Sequence, residues 1–239
     1  LTAAHGLVVP SQTLERIARK RWGQPAARLH RIVNGIDVAR YAGPPLASAI
    51  PGFRRKAGEV VIGTLAGLRE VKDLPMLVRA AGGLSGKVRL VIVGEGPERG
   101  RIEATAAAMD MADRVHLPGF LPDPAGYIGL FDILALSSQS EQFPIAVVEG
   151  MAAGLPVAAP PVGDVPTMIS SENAAYVARG HGEIWLRDIL QLMVDNAPFR
   201  QSLGRANQVK AQAEYGEATM LAAYRRVYGE AVGVPDILG

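Results

Sequence analysis

Two carboxylates, Glu141 and Glu149, stand eight residues apart in the stretch "SEQFPIAVVEGMAAGLPV" (140–157), among neighbours that are mostly small and apolar. A carboxylate in such company is costly unless something pairs with it. Pro is favoured at the first helical position and Gly just past the last, with another Pro soon after, so Pro144, Gly154 and Pro156 predict a short helix from 144 to about 153. Glu141 then lies in the loop before the helix, and Glu149 sits about 7.5 Å up its axis. Ile145, Ala146, Ala152 and Ala153, one turn from Glu149, leave space around it and supply no cation, so a ligand is one candidate partner. The helix start offers unpaired amides at Ile145, Ala146 and Val147 and the positive end of a dipole, a setting that suits phosphate. Lys72 and Arg69 could bring positive charge to the same place. Phosphate at the helix tip and a hydroxylated group at Glu149 together describe a nucleotide. Each residue also has a plainer reading: Glu141 as a solvated loop carboxylate, Glu149 paired with an Arg from a neighbouring helix, Lys72 and Arg69 as surface charges.

The elements that must position these groups alternate regularly. "VVIGTL" (60–65), "VRLVIVG" (88–94), "RVHLPG" (114–119), "DILALS" (132–137), "PVAAP" (156–160) and "AYVA" (175–178) read as strands buried on both faces. Between them lie "DLPMLVRAAGGL", "PERGRIEATAAAMD", "DPAGYIGLF" and the helix carrying Glu149, with three further helical segments after 182. Strand and helix in alternation predict βαβ units, an α/β class and a doubly wound, Rossmann-like parallel sheet. Such sheets bind ligands at the carboxyl ends of their strands, where Gly63, Gly67, Gly94 and Gly119 collect and where the Glu141 loop follows the fourth strand. Residues 1–50 differ: Ser11 reads as a helix cap before the basic "QTLERIARKRW", "LHRIVNGID" is a strand ending in an Asn-Gly turn, and "YAGPPLASAIPGF" reads as a linker.

Composition removes whole classes. The chain of 239 residues is 49% hydrophobic and 20% charged, long enough for one large domain and part of another. No run of about 18 apolar residues suggests a membrane span. The absence of cysteine excludes disulfides and thiolate metal sites. A net charge of +2 gives no argument for nucleic acid. The start at Leu1, with no basic-then-apolar leader after it, predicts a processing or expression boundary in an incomplete protein.

The ordered elements "VVPS", "NGID", "GTLAGLREVKD", "VGEGPER", "DRVHLPGF", "LSSQSEQFPIAVVEGMAAGLPV" and "VGDVPTMI" resemble the C-terminal half of a GT-B, family 4 glycosyltransferase, over Val8 to Tyr228. The resemblance implies a retaining, nucleotide-sugar-dependent enzyme in which Glu149 grips the ribose hydroxyls and Glu141 meets the donor sugar. It implies that amides after Phe143, through Pro144, Ile145 and Ala146, hold the diphosphate with Lys72 as cationic partner, that Phe120 and Leu121 frame the base, and that Ser138 belongs to the site. It divides the chain into the tail of an N-terminal acceptor domain with its linker (1–50), a donor-nucleotide domain (51–215) and a C-terminal helix crossing back (216–239). It also implies an acceptor that is a sugar, a lipid-linked sugar or another small molecule, a role in cell-envelope or exopolysaccharide assembly, and a cytoplasmic place at the inner face of the membrane. No cofactor is expected, and the chain carries no Asp-x-Asp triplet for a metal. With most of the acceptor domain missing, these residues alone are expected to bind donor without transferring sugar.

Three departures from the family pattern stand out: Gly67 where an Arg is usual five residues before the phosphate Lys, with Arg69 as the substitute; Gly150 where Ala is usual; and Asp73 where Gly is common. Other readings were weighed. Gly94, Gly96 and Gly100 imitate a dinucleotide fingerprint, but the spacing is G-x-G-x-x-x-G, after the second strand, and the next strand ends without an acidic residue to hold ribose. A nucleotide-sugar-binding module without transfer activity is the remaining alternative, and no lysine supports a phosphorylase-like cofactor site. Arg16, Arg19, Lys20 and Arg21 read as a solvated helix face, with contact to anionic lipid or to an acidic acceptor as the other readings. The four histidines show no ligand spacing.

Overall fold

The computed structural model describes residues 4–177 and 179–234. Two sheets are present among them. The smaller is parallel, pairing β1 (Leu7–Val9) with β2 (Leu29–Arg31), with α1 (Gln12–Lys20) as the crossover. The larger is the expected doubly wound sheet. It is formed by β3 (Val60–Leu65), β4 (Val88–Val93), β5 (Val115–Gly119), β6 (Ile133–Ala135) and β7 (Val157–Ala158), all parallel in the order β5-β4-β3-β6-β7. Side chains of β3 and β4 are almost wholly buried, which is why these strands read as continuous apolar runs.

The helices are α2 (Leu74–Gly82), α3 (Arg99–Ala108), α4 (Ile145–Ala152), α5 (Val165–Met168), α6 (Ser171–Ala174), α7 (Glu183–Asp195), α8 (Ala197–Glu214) and α9 (Glu217–Val232). They cover both faces. Leu77 of α2, Ile102 of α3 and Leu186 and Leu190 of α7 pack with Ile62, Leu90 and Ile92 on one side. Val147, Val148 and Met151 of α4 and Ala211 of α8 pack with Val61, Val91 and Leu134 on the other. Gly63 lies inside β3 rather than flanking its end, because a Cβ there would stand 2.0 Å from the Phe131 ring.

The chain winds from β3 to β5 toward one edge and then returns to place β6 on the other side of β3. The loops leaving β3 and β6 therefore diverge from adjacent strands and open a crevice between them, the general ligand position in open α/β sheets.

Several expectations are corrected. The strand expected over 175–178 is absent at 175–177, where the chain turns; Ala178 lies outside the described residues. The physical reason is at the edge of β7. There the Asn173 carboxamide accepts from the Val157 amide at 2.8 Å and donates to its carbonyl at 2.9 Å, making the two bonds a sixth strand would offer. The segment 123–131 forms two 3-10 turns, Pro124–Gly126 and Ile128–Leu130, instead of a helix, after Asp123 adopts φ +55°. The stretch read as a linker is docked: Ile50 and Phe53 are 1% and 6% exposed and belong to the main core. Two apolar anchors within four residues remove the freedom a linker needs.

The N-terminal piece is also fastened to the sheet. Ser11 caps α1 by accepting from the Leu14 amide, and the buried Asp164 carboxylate accepts from the Gln12 and Thr13 amides. One carboxylate thus satisfies two of the orphan donors of that helix. Near the other end, Ile36 bridges to Gly216, where α8 passes into α9. The region expected as 216–239 is described only to Val234.

Candidate functional site

Two adjoining cavities occupy the crevice at the carboxyl ends of β3, β4 and β6. They share Leu65 at the end of β3, Ala66 and Gly67 from the loop after it, and Ala146 from the start of α4. The smaller, about 210 Å³, is lined by Arg69, Lys72, Ser137, Ser138, Glu141, Pro144 and Ile145 among others. The larger, about 540 Å³, is lined by Gly94, Glu95, Phe120, Leu121, Pro122, Asp123, Tyr127 and Glu149 among others. Sequence separation disappears here: residues that follow β3, β4, β5 and β6 meet around one crevice.

In the smaller cavity, Lys72 and Glu141 form an ion pair at 2.5 Å, and the Ser138 hydroxyl donates to the same Glu141 oxygen at 2.6 Å. The plain reading of both as free surface charges is thereby corrected, since only 19% and 11% of their side chains is exposed. The backbone beneath them is tied as well. The Ser137 hydroxyl donates to the Lys72 carbonyl, and the Gln139 amide donates to the Val71 carbonyl. These bonds fix the β3 loop against the β6 loop. Lys72 ends a 3-10 turn (Glu70–Lys72) that stops at Asp73 with φ +43° and ψ +46°. That is a left-handed conformation, which Gly adopts freely and Asp tolerates. The departure from Gly at this position is thus accommodated by Asp.

Gly67 and Arg69 explain one another. The Arg69 Nε lies 3.3 Å from where a Cβ on Gly67 would be, so the Arg69 side chain folds back over the glycine. Among the described residues no carboxylate pairs with Arg69, and it lines the smaller cavity beside Lys72. A cation therefore stands beside position 67 although it starts two residues later.

The α4 terminus meets the cavity with fewer free amides than expected. Val147 donates to the Pro144 carbonyl at 3.0 Å, leaving Ile145 and Ala146 as the outward donors. Pro144, the N-cap, has no side-chain hydrogen bond to give them. Phe143 is corrected as a cleft residue: its ring is 7% exposed and packs edge-to-face on Tyr215 at 5.6 Å. Its service to the site is to anchor the loop that turns into α4. Gly150, where the family carries Ala, sits against β6; a Cβ there would approach the Leu134 Cδ2 to 2.6 Å.

In the larger cavity the Glu149 carboxylate faces inward, half-buried, and accepts from the Tyr41 hydroxyl at 3.0 Å. Neither the Arg of the plain reading nor a bare carboxylate is found; the partner is a phenol 108 residues upstream. Burial raises the Glu149 carboxyl above its ordinary range, and the Tyr41 bond lowers it part of the way back. The opposite wall is apolar. Phe120 is 72% exposed at its rim, Leu121 lies beneath, and the buried Tyr127 closes the far side. Gly119 does not line the cavity; it shapes the turn before Phe120 at φ +89°.

The glycines after β4 serve a different end from a dinucleotide loop. A Cβ on Gly94 would fall 1.9 Å from the Ala66 carbonyl oxygen, and one on Gly96 2.4 Å from that of Leu68. They let the β3 and β4 loops lie backbone against backbone, joined by the Leu68 amide on the Glu95 carbonyl at 2.9 Å. Tyr41, Tyr127 and Asp123 escaped the sequence reading. Tyr127 had a faint signal as the aromatic of "DPAGYIGLF", and Tyr41 had none, since nothing in its spacing points to Glu149.

The arrangement can neutralise an anion at one end, with Lys72, Arg69 and two helix amides. At the other it can grip hydroxyls with one carboxylate beside an apolar shelf for a planar group. Among the described residues no set of three His, Asp or Glu side chains is grouped to hold a metal.

Known proteins similar to this chain are glycosyltransferases. The D-inositol 3-phosphate glycosyltransferase of Mycobacteroides abscessus is 32% identical over 180 residues, covering 70% of this chain and 40% of that protein. The 2-deoxystreptamine glucosyltransferase of Streptomyces kanamyceticus is 32% identical over 227 residues, covering 86% and 58%. The chain thus spans about half the length of these relatives. The solved structure of HepE from Anabaena in complex with UDP superposes with a TM-score of 0.82 at 20% identity, over 97% of this chain and 64% of that one, a likeness of GT-B fold. Residues 59–195, more than half of the chain, match the model of the family described as glycosyl transferases group 1, and the chain belongs to that family.

Proposed function

We propose that this chain is the donor-binding part of a retaining, family 4 glycosyltransferase that moves a sugar from a nucleotide-diphospho-sugar to a sugar, lipid-linked sugar or other small acceptor. The observation that carries the reading is the division of one crevice into a cationic pocket at a helix start and an apolar shelf ending at Glu149. The spacing suits the diphosphate and the nucleoside of one ligand. In this reading the Ile145 and Ala146 amides, Lys72 and Arg69 bind the diphosphate, and Glu149 takes the ribose hydroxyls. Phe120 and Leu121 face the base, with Gly67 and Gly94 giving the backbone clearance. Glu141, with Ser138, orients Lys72 and reaches the sugar. No metal is invoked: cations and amides stabilise the charge that grows on the leaving diphosphate.

The divisions proposed are residues 1–50 as the tail of the acceptor domain, 51–215 as the donor domain and 216–239 as the returning helix. Because the acceptor wall is largely elsewhere, residues 1–239 bind donor and transfer little. The cellular setting proposed is cell-envelope or exopolysaccharide assembly on the cytoplasmic side; no described helix is long and apolar enough to cross a membrane.

Thermal-shift screening of this chain against UDP-, GDP- and ADP-sugars tests the reading. A ligand at 100 times its dissociation constant adds about 2.7 kcal/mol of stability, and no shift with any of the three at millimolar concentration refutes it. Initial rates of the complete two-domain enzyme test the metal-free mechanism: they are expected to persist in EDTA, and a rate that collapses and returns with Mg²⁺ overturns it.

A further inference from the structure

Glu149 does not hold its geometry alone. Its oxygen is met by Tyr41, at the end of a 3-10 turn (Val38–Tyr41) that enters from the N-terminal side of the sheet. Glu149, Asp123 and Tyr127 line the larger cavity, but Tyr41 does not. The phenol therefore reaches the carboxylate from behind the cavity wall and leaves the cavity side of Glu149 open to a ligand. The same turn grips the cavity a second time, since Arg40 donates to the Asp123 carboxylate at 2.8 Å. Val38 and Tyr41 also pack on the core cluster that holds α4.

We propose that Tyr41 is a positioning residue for nucleotide recognition. It holds one oxygen of Glu149 so that the carboxylate meets the ribose hydroxyls already oriented and charged. The inference rests on the donor-binding reading above and extends it to a residue outside the sheet domain. The hydroxyl donates, so it favours the ionised carboxylate, the form that accepts from ribose. A carboxylate torsion left free would have to be ordered on binding, and a fixed one does not. The charged or titratable neighbours are Arg40 and Asp123, paired to each other beside Tyr41, and Tyr127 across the cavity. Both phenols are pushed well above their ordinary range, first by burial and then by the Glu149 charge, so they stay neutral while Glu149 titrates.

The test is calorimetric titration of this chain and its Tyr41→Phe variant with whichever of UDP, GDP or ADP the parent binds, and with the matching 2′,3′-dideoxy diphosphate, from pH 5 to 8. Tyr41→Phe keeps the ring and removes only the donor. The expected result is about a tenfold loss for the ribonucleotide, a much smaller loss for the dideoxy compound, and a fall of affinity in acid that begins at higher pH than in the parent. Equal losses for both compounds, or an unmoved pH profile, assign Tyr41 a packing role and overturn the inference. Parent binding with an unaltered variant overturns it as well. No binding of any of the three by the parent overturns the donor-binding reading itself.

Discussion

The two ends of the crevice solve opposite problems. The cationic end gathers Lys72, Glu141, Ser138 and Arg69 within the loops after β3 and β6, all from the sheet domain, and neutralises most of its own charge through the 2.5 Å pair. The apolar end presents Glu149 with no cation against it and a partner borrowed from the segment before the sheet, while the other carboxylates of its lining, Asp123 and Glu95, are paired with Arg40 and Arg99. A set of mutual bonds among Lys72, Ser137, Ser138 and Glu141 fixes the first end. At the second end the Glu149 side chain is held by a single phenol and stays an acid raised by burial. In the proposed reading, recognition of phosphate belongs to the sheet domain, while recognition of ribose depends on how the N-terminal segment is docked.

The largest expected effect breaks the cationic end. Lys72→Ala removes the proposed phosphate partner and leaves Glu141 without its ion-pair partner in the same pocket. Nucleoside diphosphate binding should weaken by about 3 kcal/mol, and the parent nucleoside should be almost unaffected; calorimetry with both ligands measures the difference. A like loss for the nucleoside would mean the two ends are not separate.

Next comes the apolar end. Glu149→Gln should cost about 2 kcal/mol in ribonucleotide affinity yet stabilise the free chain by on the order of 1 kcal/mol at pH 7. The sign follows from the raised folded pKa: between the unfolded value and the folded one the native state binds more protons, so stability falls as pH rises through that window. The gain from Gln should therefore fade as pH drops below the unfolded carboxyl value. Denaturant titrations at pH 4 and 7 check it, and a gain of the same size at both would contradict the burial account.

A smaller effect is expected from Phe120→Ala. With 72% of the residue exposed, folding stability should change by less than about 0.5 kcal/mol. Nucleoside and nucleoside diphosphate should each lose about 1–2 kcal/mol, as expected for a stacking surface. An equal loss for both ligands contrasts with the Lys72 pattern, in which only the diphosphate suffers, and the pair of variants sharpens the comparison between the ends.

The smallest concerns Asp73. Its left-handed φ of +43° strains a side chain that Gly would not have. Asp73→Gly should raise stability by roughly 0.5 kcal/mol with nucleotide affinity unchanged, read from thermal melts and a titration. A drop in affinity would show that the turn carrying Lys72 had loosened.

Much of this was legible in the chain. The brackets Pro144, Gly154 and Pro156 place a helix that runs from Ile145 to Ala152, because caps and breakers act on the residues beside them. The apolar runs of β3 and β4 declare a sheet covered on both faces. Illegible were the strand at 175–177, cancelled by a side chain that imitates one, and the docking of Ile50 and Phe53 in a stretch that looks like a linker. In both places local composition was overridden by a contact made far away.

By itself the sequence determined the α/β class, the helix start facing the crevice, and which cations and carboxylates were available. Only the tertiary structure decided who pairs with whom: Lys72 with Glu141 across 69 residues, and Tyr41 with Glu149 across 108. Propensity and capping are set within a turn of the chain, whereas the first pair depends on the return of β6 beside β3 and the second on the docking of the 38–41 turn against the core that holds α4.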